Sequence, residues 1–324
     1  MNIDEGLFVT IHGVDQWVTM RGHDLNNPVL LLISGAGAAL SGMAPLFTAW
    51  EREFTFVQWD QPAAGATHAR SADVPAGELS IDRLARDGIA VTEFVCGRLQ
   101  TDRIVLVGLS GGSMVGLNMV KRRPDLFCAY VGTGQIVDWA RQDAASYTMV
   151  LAQAHAAHDQ AAIAELTRIG PPPYPDAATD AIKSKYASAM TAAEQAAFGA
   201  VDPAVMAAVQ SPPADARYIA RGVPARDVRT LAMAAYTTLR NEIVAFDARR
   251  LGLEFDVPMF FFQGDRDAYT VTSEVQVYES EIRAPKKMLV LIEGGGHSCL
   301  LFMRDEFLAL LIRFVRPLAT QKPR

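Results

Sequence analysis

The sequence RIVLVGLSGG at residues 103–112 gives the strongest indication of the fold. Its first part is an unbroken aliphatic run, which is typical of a strand buried on both faces of a parallel sheet. Its second part places Ser110 between Gly108 and Gly112 in the pattern G-x-S-x-G, and a helical pattern follows and ends at Pro124. Glycines on both sides of a serine allow a sharp strand-to-helix turn, the setting in which this pattern marks a nucleophile. The sequence therefore predicts that Ser110 is a catalytic nucleophile.

Strand and helix patterns alternate on both sides of this stretch. A hairpin is expected over residues 7–11 and 16–20, and buried strands over 29–33, 54–59, 103–108, 127–131, 259–262 and 287–292. Helices are expected over 44–53, 79–99 (with Ser80 as the N-cap), 113–123, 272–282 and 302–314. This alternation predicts an α/β protein with a doubly wound, mostly parallel central sheet flanked by helices.

The middle of the chain has a different character. Residues 138–247 are rich in alanine and helical in period, with proline clusters at 170–175 and 211–213. We interpret this part as an inserted helical cap. The predicted organisation is a core of residues 1–137 and 250–324 interrupted by a cap of residues 138–249. We expect substrate choice to lie in the cap and in the cleft beneath it. The apolar composition of the cap, interrupted by prolines, favours a small, partly apolar substrate.

A serine nucleophile requires a base, and the base requires an acid that orients it. Among six histidines, His297 follows a late buried strand through the glycine run 294–296, where a loop can bring an imidazole over the sheet edge. The chain order Ser…Asp…His places the acid after an earlier strand, where Asp265 and Asp267 compete. Asp267 lies farther into the loop and is the favoured acid; Asp265 is expected to make a turn hydrogen bond or to pair with Arg266.

An oxyanion hole for the reaction needs two N–H donors. We expect one to be the amide of Gly111, directly after the nucleophile. The other should come from the loop after the strand at 29–33, at Gly35 or Ala36.

Composition excludes several other classes of protein. The 324 residues carry a net charge of −6, which argues against a nucleic-acid surface. No secretion signal and no apolar run long enough to span a membrane is evident, so a cytoplasmic protein is expected. Cys96, Cys128 and Cys299 are widely spaced and predict no disulfide framework. The predicted chemistry requires no metal and no organic cofactor, and the composition fits a monomer or a homodimer equally.

Three further motifs carry a resemblance to a known family. They are WDQPAAGAT at residues 59–67, SGGS at 110–113 and RPDLF at 123–127. With the serine pattern they make the chain similar to the α/β-hydrolase superfamily, and within it to the proline iminopeptidase-like branch (serine peptidase family S33). The resemblance covers about residues 5–137 and 250–317. It departs from the branch at residues 34–38, where SGAGA stands in place of the usual H-G-G-P-G loop; by position in that loop, Ala36 would be the second oxyanion donor.

The resemblance implies a hydrolase that acts on a small molecule or a short peptide. Branch members that remove N-terminal proline hold the substrate ammonium with acidic cap residues. Glu165, Glu194 and Glu242 are the candidates here, although a solvated helix face is the favoured interpretation of each.

The prediction is a serine hydrolase that cleaves an ester or amide bond through an acyl-enzyme on Ser110. The alternatives are a proline iminopeptidase-type aminopeptidase, a lyase or acyltransferase on the same triad, and a ligand-binding protein that has lost catalysis.

Overall fold

A computed structural model of the protein describes residues 2–35, 39–70, 79–210 and 228–320. Its centre is one eight-stranded sheet with the order β1-β2-β4-β3-β5-β6-β7-β8. The strands are β1 (Ile3–Ile11), β2 (Val14–Gly22), β3 (Val29–Ile33), β4 (Thr55–Asp60), β5 (Ile104–Leu109), β6 (Phe127–Thr133), β7 (Met259–Gly264) and β8 (Lys287–Ile292). β1 and β2 form the predicted antiparallel hairpin, β2 pairs antiparallel with β4, and all the remaining pairings are parallel. The predicted fold class is confirmed.

Strand β5 shows that the centre of this sheet is buried on both faces. Ile104 and Leu106 belong to the apolar cluster on one face, whereas Val105 and Val107 belong to the cluster on the other. Successive side chains of a strand point to opposite faces, so a continuous aliphatic run suits a sheet covered by helices on both sides. All six residues of β5 are buried. The prediction of a buried strand at 287–292 is wrong, because β8 lies at the edge of the sheet and only its last residue, Ile292, is buried.

Helices cover the two faces and fill the segment between β6 and β7. They are α1 (Gly65–Arg70), α2 (Ile81–Leu99), α3 (Gly111–Arg122), α4 (Trp139–Ala156), α5 (Gln160–Ile169), α6 (Ala177–Ala187), α7 (Ala192–Gly199), α8 (Pro203–Gln210), α9 (Val228–Val244), α10 (Thr272–Glu281), α11 (Cys299–Phe302), α12 (Arg304–Leu310) and α13 (Arg316–Ala319). Ser80 caps α2 as predicted, because its side chain accepts a hydrogen bond from the Arg83 amide at 3.0 Å.

Two predicted helices differ from the structure. The helix expected over 44–53 is instead a pair of 3₁₀ helices, Ser41–Phe47 and Trp50–Arg52. Pro45 lies inside the first of them, and proline lacks the N–H that a regular α-helix would use there. The helix expected over 302–314 is interrupted at Met303, which has non-helical dihedral angles (φ −109°, ψ 50°), and it continues beyond α12 as a π-helical turn, Leu311–Val315.

The segment between β6 and β7 enters and leaves the core at one place. The Trp139 amide donates to the Phe246 carbonyl at 3.1 Å, and the Ala248 amide donates to the Val137 carbonyl at 2.7 Å. The chain entering the segment is therefore hydrogen-bonded to the chain leaving it. Helices α4 to α9 lie between these ends, and we propose that they form the cap predicted at residues 138–249.

The turn after β5 is strained and closely packed. Ser110 has φ +53° and ψ −123°, a conformation that L residues rarely adopt. A Cβ atom on Gly112 would lie 2.4 Å from the Ile33 carbonyl oxygen and 2.5 Å from that of Ser34, at the end of β3. Only glycine allows α3 to begin this close to the neighbouring strand.

We therefore expect Gly112→Ala to lower the free energy of unfolding by about 1–3 kcal/mol, because backbone carbonyls cannot rotate away from the added methyl group. The matched control is Gly97→Ala in α2, where an added Cβ meets nothing within 4 Å. That change should be neutral or raise stability by up to about 1 kcal/mol. Denaturant unfolding of the two variants checks this; equal effects would contradict the role given to Gly112.

Candidate active site

The ends of β5, β7 and β8 bring three predicted residues together. The His297 Nε2 atom lies 2.9 Å from the Ser110 Oγ atom. The Nδ1 atom of the same imidazole lies 3.1 Å from the Asp267 Oδ2 atom. The histidine thus joins the serine to the aspartate through its two ring nitrogens, at distances suited to hydrogen bonds.

Asp267 is buried, with 1% of its surface exposed, and its carboxylate is fully hydrogen-bonded. Its Oδ1 accepts from the amides of Tyr269 (2.8 Å) and Thr270 (2.9 Å), and its Oδ2 accepts from the Thr270 hydroxyl at 2.6 Å. Burial opposes ionisation of this carboxyl group, but the charge and hydrogen bond of His297 and the Thr270 hydrogen bonds outweigh it and hold the pKa of Asp267 below its usual value. The carboxylate is therefore kept ionised beside the imidazole.

Asp265, the competing acid, points elsewhere. Its Oδ1 accepts from the Gly294 amide at 2.8 Å, and its Oδ2 lies 3.9 Å from the Arg266 Nε. The ion pair with Arg266 is one of the two contacts expected of Asp265. The hydrogen bond is not the expected local turn bond, because its donor lies on the distant loop after β8. Asp265 thus braces the glycine run before His297, whereas Asp267 reaches the imidazole.

Two of the residues expected to form the oxyanion hole, Gly111 and Gly35, lie beside Ser110. The Ser110 amide is already used, because it donates to the Thr133 carbonyl at 2.9 Å. The next amide along the chain belongs to Gly111, the first residue of α3. A methyl group on Gly35 would lie 3.8 Å from the Gly111 nitrogen and 3.8 Å from the Ser110 Cβ. Ala36 lies outside the described residues.

A buried glutamine supports the end of the strand that leads into this loop. The Gln61 side chain donates from Nε2 to the Ser34 carbonyl at 3.1 Å. Gln61 is fully buried and belongs to the 59–67 motif that carried the family resemblance. A residue of this motif is therefore hydrogen-bonded to the backbone directly before Gly35.

The three glutamates considered for substrate binding lie in different settings. Glu165 forms an ion pair with Lys185 at 2.9 Å and accepts a hydrogen bond from the Tyr186 hydroxyl at 2.6 Å. Glu242 accepts from the Ile81 amide, at the start of α2, at 2.9 Å. None of these contacts involves Ser110, Asp267 or His297.

Glu194 departs from the expectation of a solvated helix face. It is 1% exposed, and its Oε1 accepts from the Gly296 amide at 3.0 Å, directly before His297 in the chain. A lone glutamate in an alanine-rich helix gives no sign in the sequence that it reaches a loop about a hundred residues away.

Thr270 and Tyr269 contact the Asp267–His297 pair, and neither was predicted from the sequence. Thr270 contacts both Asp267 and His297, its Oγ1 lying 3.2 Å from the His297 Nδ1. The Tyr269 ring packs on the imidazole with centroids 4.7 Å apart. No specific sequence signal marked either residue, because any residues other than proline at two and three positions after an aspartate offer amides for such a turn.

Within the described ranges, no group of three or more His, Cys, Asp or Glu side chains is placed to hold a metal ion. In the same ranges, no helix has both the length and the apolar character needed to cross a membrane.

Comparison with known proteins adds to this geometry. Residues 24–302 match the family model described as "Serine aminopeptidase, S33". The aminopeptidase YbaC of Bacillus subtilis (strain 168), described as probable, is 28% identical over 169 residues, which are 51% of this chain and 52% of that protein. The matched stretch thus spans about half the length of this curated relative.

Solved structures share the fold across nearly the whole chain. The proline iminopeptidase of Mycobacterium smegmatis superposes with a TM-score of 0.62 at 15% identity, covering 97% of this chain and 99% of that one. A proline iminopeptidase-related protein of Thermus thermophilus gives 0.61 at 17% identity, covering 98% and 100%. At such identities the likeness shows the fold alone.

The family match covers most of the chain, and the eight-stranded, mostly parallel sheet agrees with it. The resemblance found in the sequence is confirmed: the chain belongs to the S33 serine aminopeptidase family of α/β-fold hydrolases.

Proposed function

We propose that this protein is a serine hydrolase that cleaves an ester or amide bond of a small, partly apolar substrate through an acyl-enzyme on Ser110. The observation that carries the proposal is the imidazole of His297, hydrogen-bonded on one side toward Ser110 and on the other toward the buried carboxylate of Asp267. This is the arrangement of nucleophile, base and orienting acid that acyl transfer requires.

In the proposed mechanism, Ser110 Oγ attacks the substrate carbonyl and passes its proton to His297 Nε2. This nitrogen acts as the general base and lies 2.9 Å from Oγ, within reach of the proton. Asp267 accepts the Nδ1–H, which sets the tautomer that leaves Nε2 free to take the proton. The ionised carboxylate then stabilises the imidazolium. The burial of Asp267 strengthens this effect, since water screens the two charges less than it would at the surface.

The tetrahedral intermediate carries its negative charge on the former carbonyl oxygen. In the proposal this oxygen is held by the Gly111 amide at the N-terminus of α3, which favours an anion, and by a second amide at Gly35 or Ala36. His297 then gives its proton to the leaving group, and the acyl group stays on Ser110. A water molecule, activated by the same imidazole, releases the acyl group as a carboxylic acid in the second half of the reaction.

An aminopeptidase is the second candidate function, and the family match and the relative from Bacillus subtilis favour it. Under this proposal the leaving group is the amine of a peptide and the acyl group is an N-terminal amino acid. The substrate ammonium would need an acidic partner. Each of the three candidate glutamates already has a partner in the protein: Lys185 for Glu165, the Ile81 amide for Glu242 and the Gly296 amide for Glu194. This favours the broader esterase or amidase assignment.

We expect a fluorophosphonate probe to label the purified protein at Ser110, because an activated serine attacks the electrophilic phosphorus, and labelling should be absent in Ser110→Ala. Mass spectrometry of the peptide adduct locates the label. A panel of p-nitrophenyl esters and aminoacyl anilides then separates the two candidate functions by the better class of substrate. A folded wild-type protein that neither labels nor turns over any member of the panel would contradict both.

We expect Asp267→Asn to lower kcat by about 10³- to 10⁴-fold, because the amide can stabilise neither the required imidazole tautomer nor its charged form. Asp265→Asn, two residues away on the same loop, should lower kcat far less, since Asp265 bonds to the Gly294 amide and not to the imidazole. Steady-state kinetics on the best ester of the panel make the comparison. A larger loss in the Asp265 variant would reverse the assignment of the acid.

A further inference from the structure

The N-terminus of α7, in the segment between β6 and β7, is bonded to the glycine run that carries His297. The Thr191 hydroxyl donates to the Gly294 carbonyl at 2.6 Å. The Gly296 amide donates to the Glu194 Oε1 at 3.0 Å. One residue at each end of the glycine run is therefore held from outside its own loop.

The same two residues also cap α7, which holds them in place. The Glu194 amide donates to the Thr191 Oγ1 at 3.1 Å, and the Thr191 amide donates to the Glu194 Oε2 at 3.0 Å, in a capping box. Helix capping uses only the Oε2 atom of this carboxylate. The bond from Gly296 to Oε1 is additional, and a helix cap alone does not call for it.

The absence of side chains in the glycine run allows the start of α7 to pack closely against it. A Cβ atom on Gly296 would lie 2.7 Å from the Glu194 Oε2, and one on Gly294 would lie 2.8 Å from the Ala193 Cβ. Glycine permits the close approach, but it also gives the loop more conformational freedom than any other residue would. A loop of three glycines needs outside contacts to hold the following side chain in one position.

Contacts with α7 also continue beyond His297. The ring of Phe198 in α7 packs against that of Phe302 in α11 with centroids 5.3 Å apart. His297 thus lies between two stretches of chain that α7 holds. Glu194 is almost fully buried, so water does not compete for its bonds.

We propose that Glu194, together with Thr191, is a positioning residue that sets the place of His297 between Ser110 and Asp267. The inference rests on the proposed function, because it gives Glu194 a role only through the histidine. It assigns to the inserted segment a part in the chemistry itself, besides any part in choosing the substrate.

We expect Glu194→Ala to lower kcat on the best ester by about 10- to 100-fold, with KM little changed, because a small displacement of a catalytic group costs this much. The rate of fluorophosphonate labelling of Ser110 should fall in parallel. Glu194→Gln should lower kcat less than Glu194→Ala, since its amide oxygen can still accept from Gly296. Its amide nitrogen then faces the Thr191 N–H, so the capping bond is lost and Tm should fall. Thr191→Val removes the bond to Gly294 and should also lower kcat, whereas Thr191→Ser should not; this pair serves if Glu194→Ala does not fold.

The matched control is Asp176→Ala, which removes the N-cap of α6, a bond of 2.7 Å from the Thr179 amide. It should lower Tm without lowering kcat. The decisive comparison repeats Glu194→Ala in a His297→Ala background, where it should have no further effect on residual turnover or labelling.

Equal losses in both backgrounds, or full kcat in folded Glu194→Ala, would overturn the positioning role. These outcomes are distinct from failure of the proposed function, in which Ser110→Ala and His297→Ala would themselves retain activity.

Discussion

Parallel pairing of β3, β5, β6, β7 and β8 is the constraint on which the candidate site depends, since the C-terminal ends of parallel strands meet at one edge of a sheet. Ser110 follows β5, Asp267 follows β7 and His297 follows β8. The loops that carry these three residues therefore start close together in space, although they are far apart in the chain. Short loops then carry the aspartate and the histidine across the end of β6 to the serine, which the strained turn holds above the sheet edge.

Burying a carboxylate beside that edge is costly unless every lone pair is used. The local sequence around Asp267 provides most of the compensation, because the next turn of the chain offers two amides and the Thr270 hydroxyl. His297 supplies the remaining bond from a distant loop. These local bonds fix the orientation of the carboxylate independently of the histidine, so the site is preorganised.

The helices between β6 and β7 contact both the loop that carries Asp267 and the loop that carries His297. On the side of the acid, the Ser146 hydroxyl of α4 donates to the Ala268 carbonyl at 2.6 Å, and Ala268 packs in the apolar cluster formed with α4, α5 and α6. Lys183 of α6, fully buried and paired with Asp143 of α4, lies 5.2 Å above the Tyr269 ring that covers the imidazole. On the side of the base, α7 bonds to the glycine run. A shift of the segment relative to the sheet would therefore act on both loops at once.

Features that depend on local pattern could be predicted from the sequence alone: the α/β sheet from aliphatic runs, the turn at Ser110 from its flanking glycines, and the Ser…Asp…His order from the position of each residue after a strand. The sequence also favoured Asp267 over Asp265 as the acid, because Asp267 lies farther into the loop after β7. Features that depend on contacts between distant segments became visible only in the folded protein. The distances that join the three side chains, the interruption of the last helix and the burial of Glu194 against Gly296 belong to this group. The physical reason is that helical period and turn chemistry are properties of neighbouring residues, whereas a hydrogen bond between residues 194 and 296 exists only after the sheet and the helices have packed.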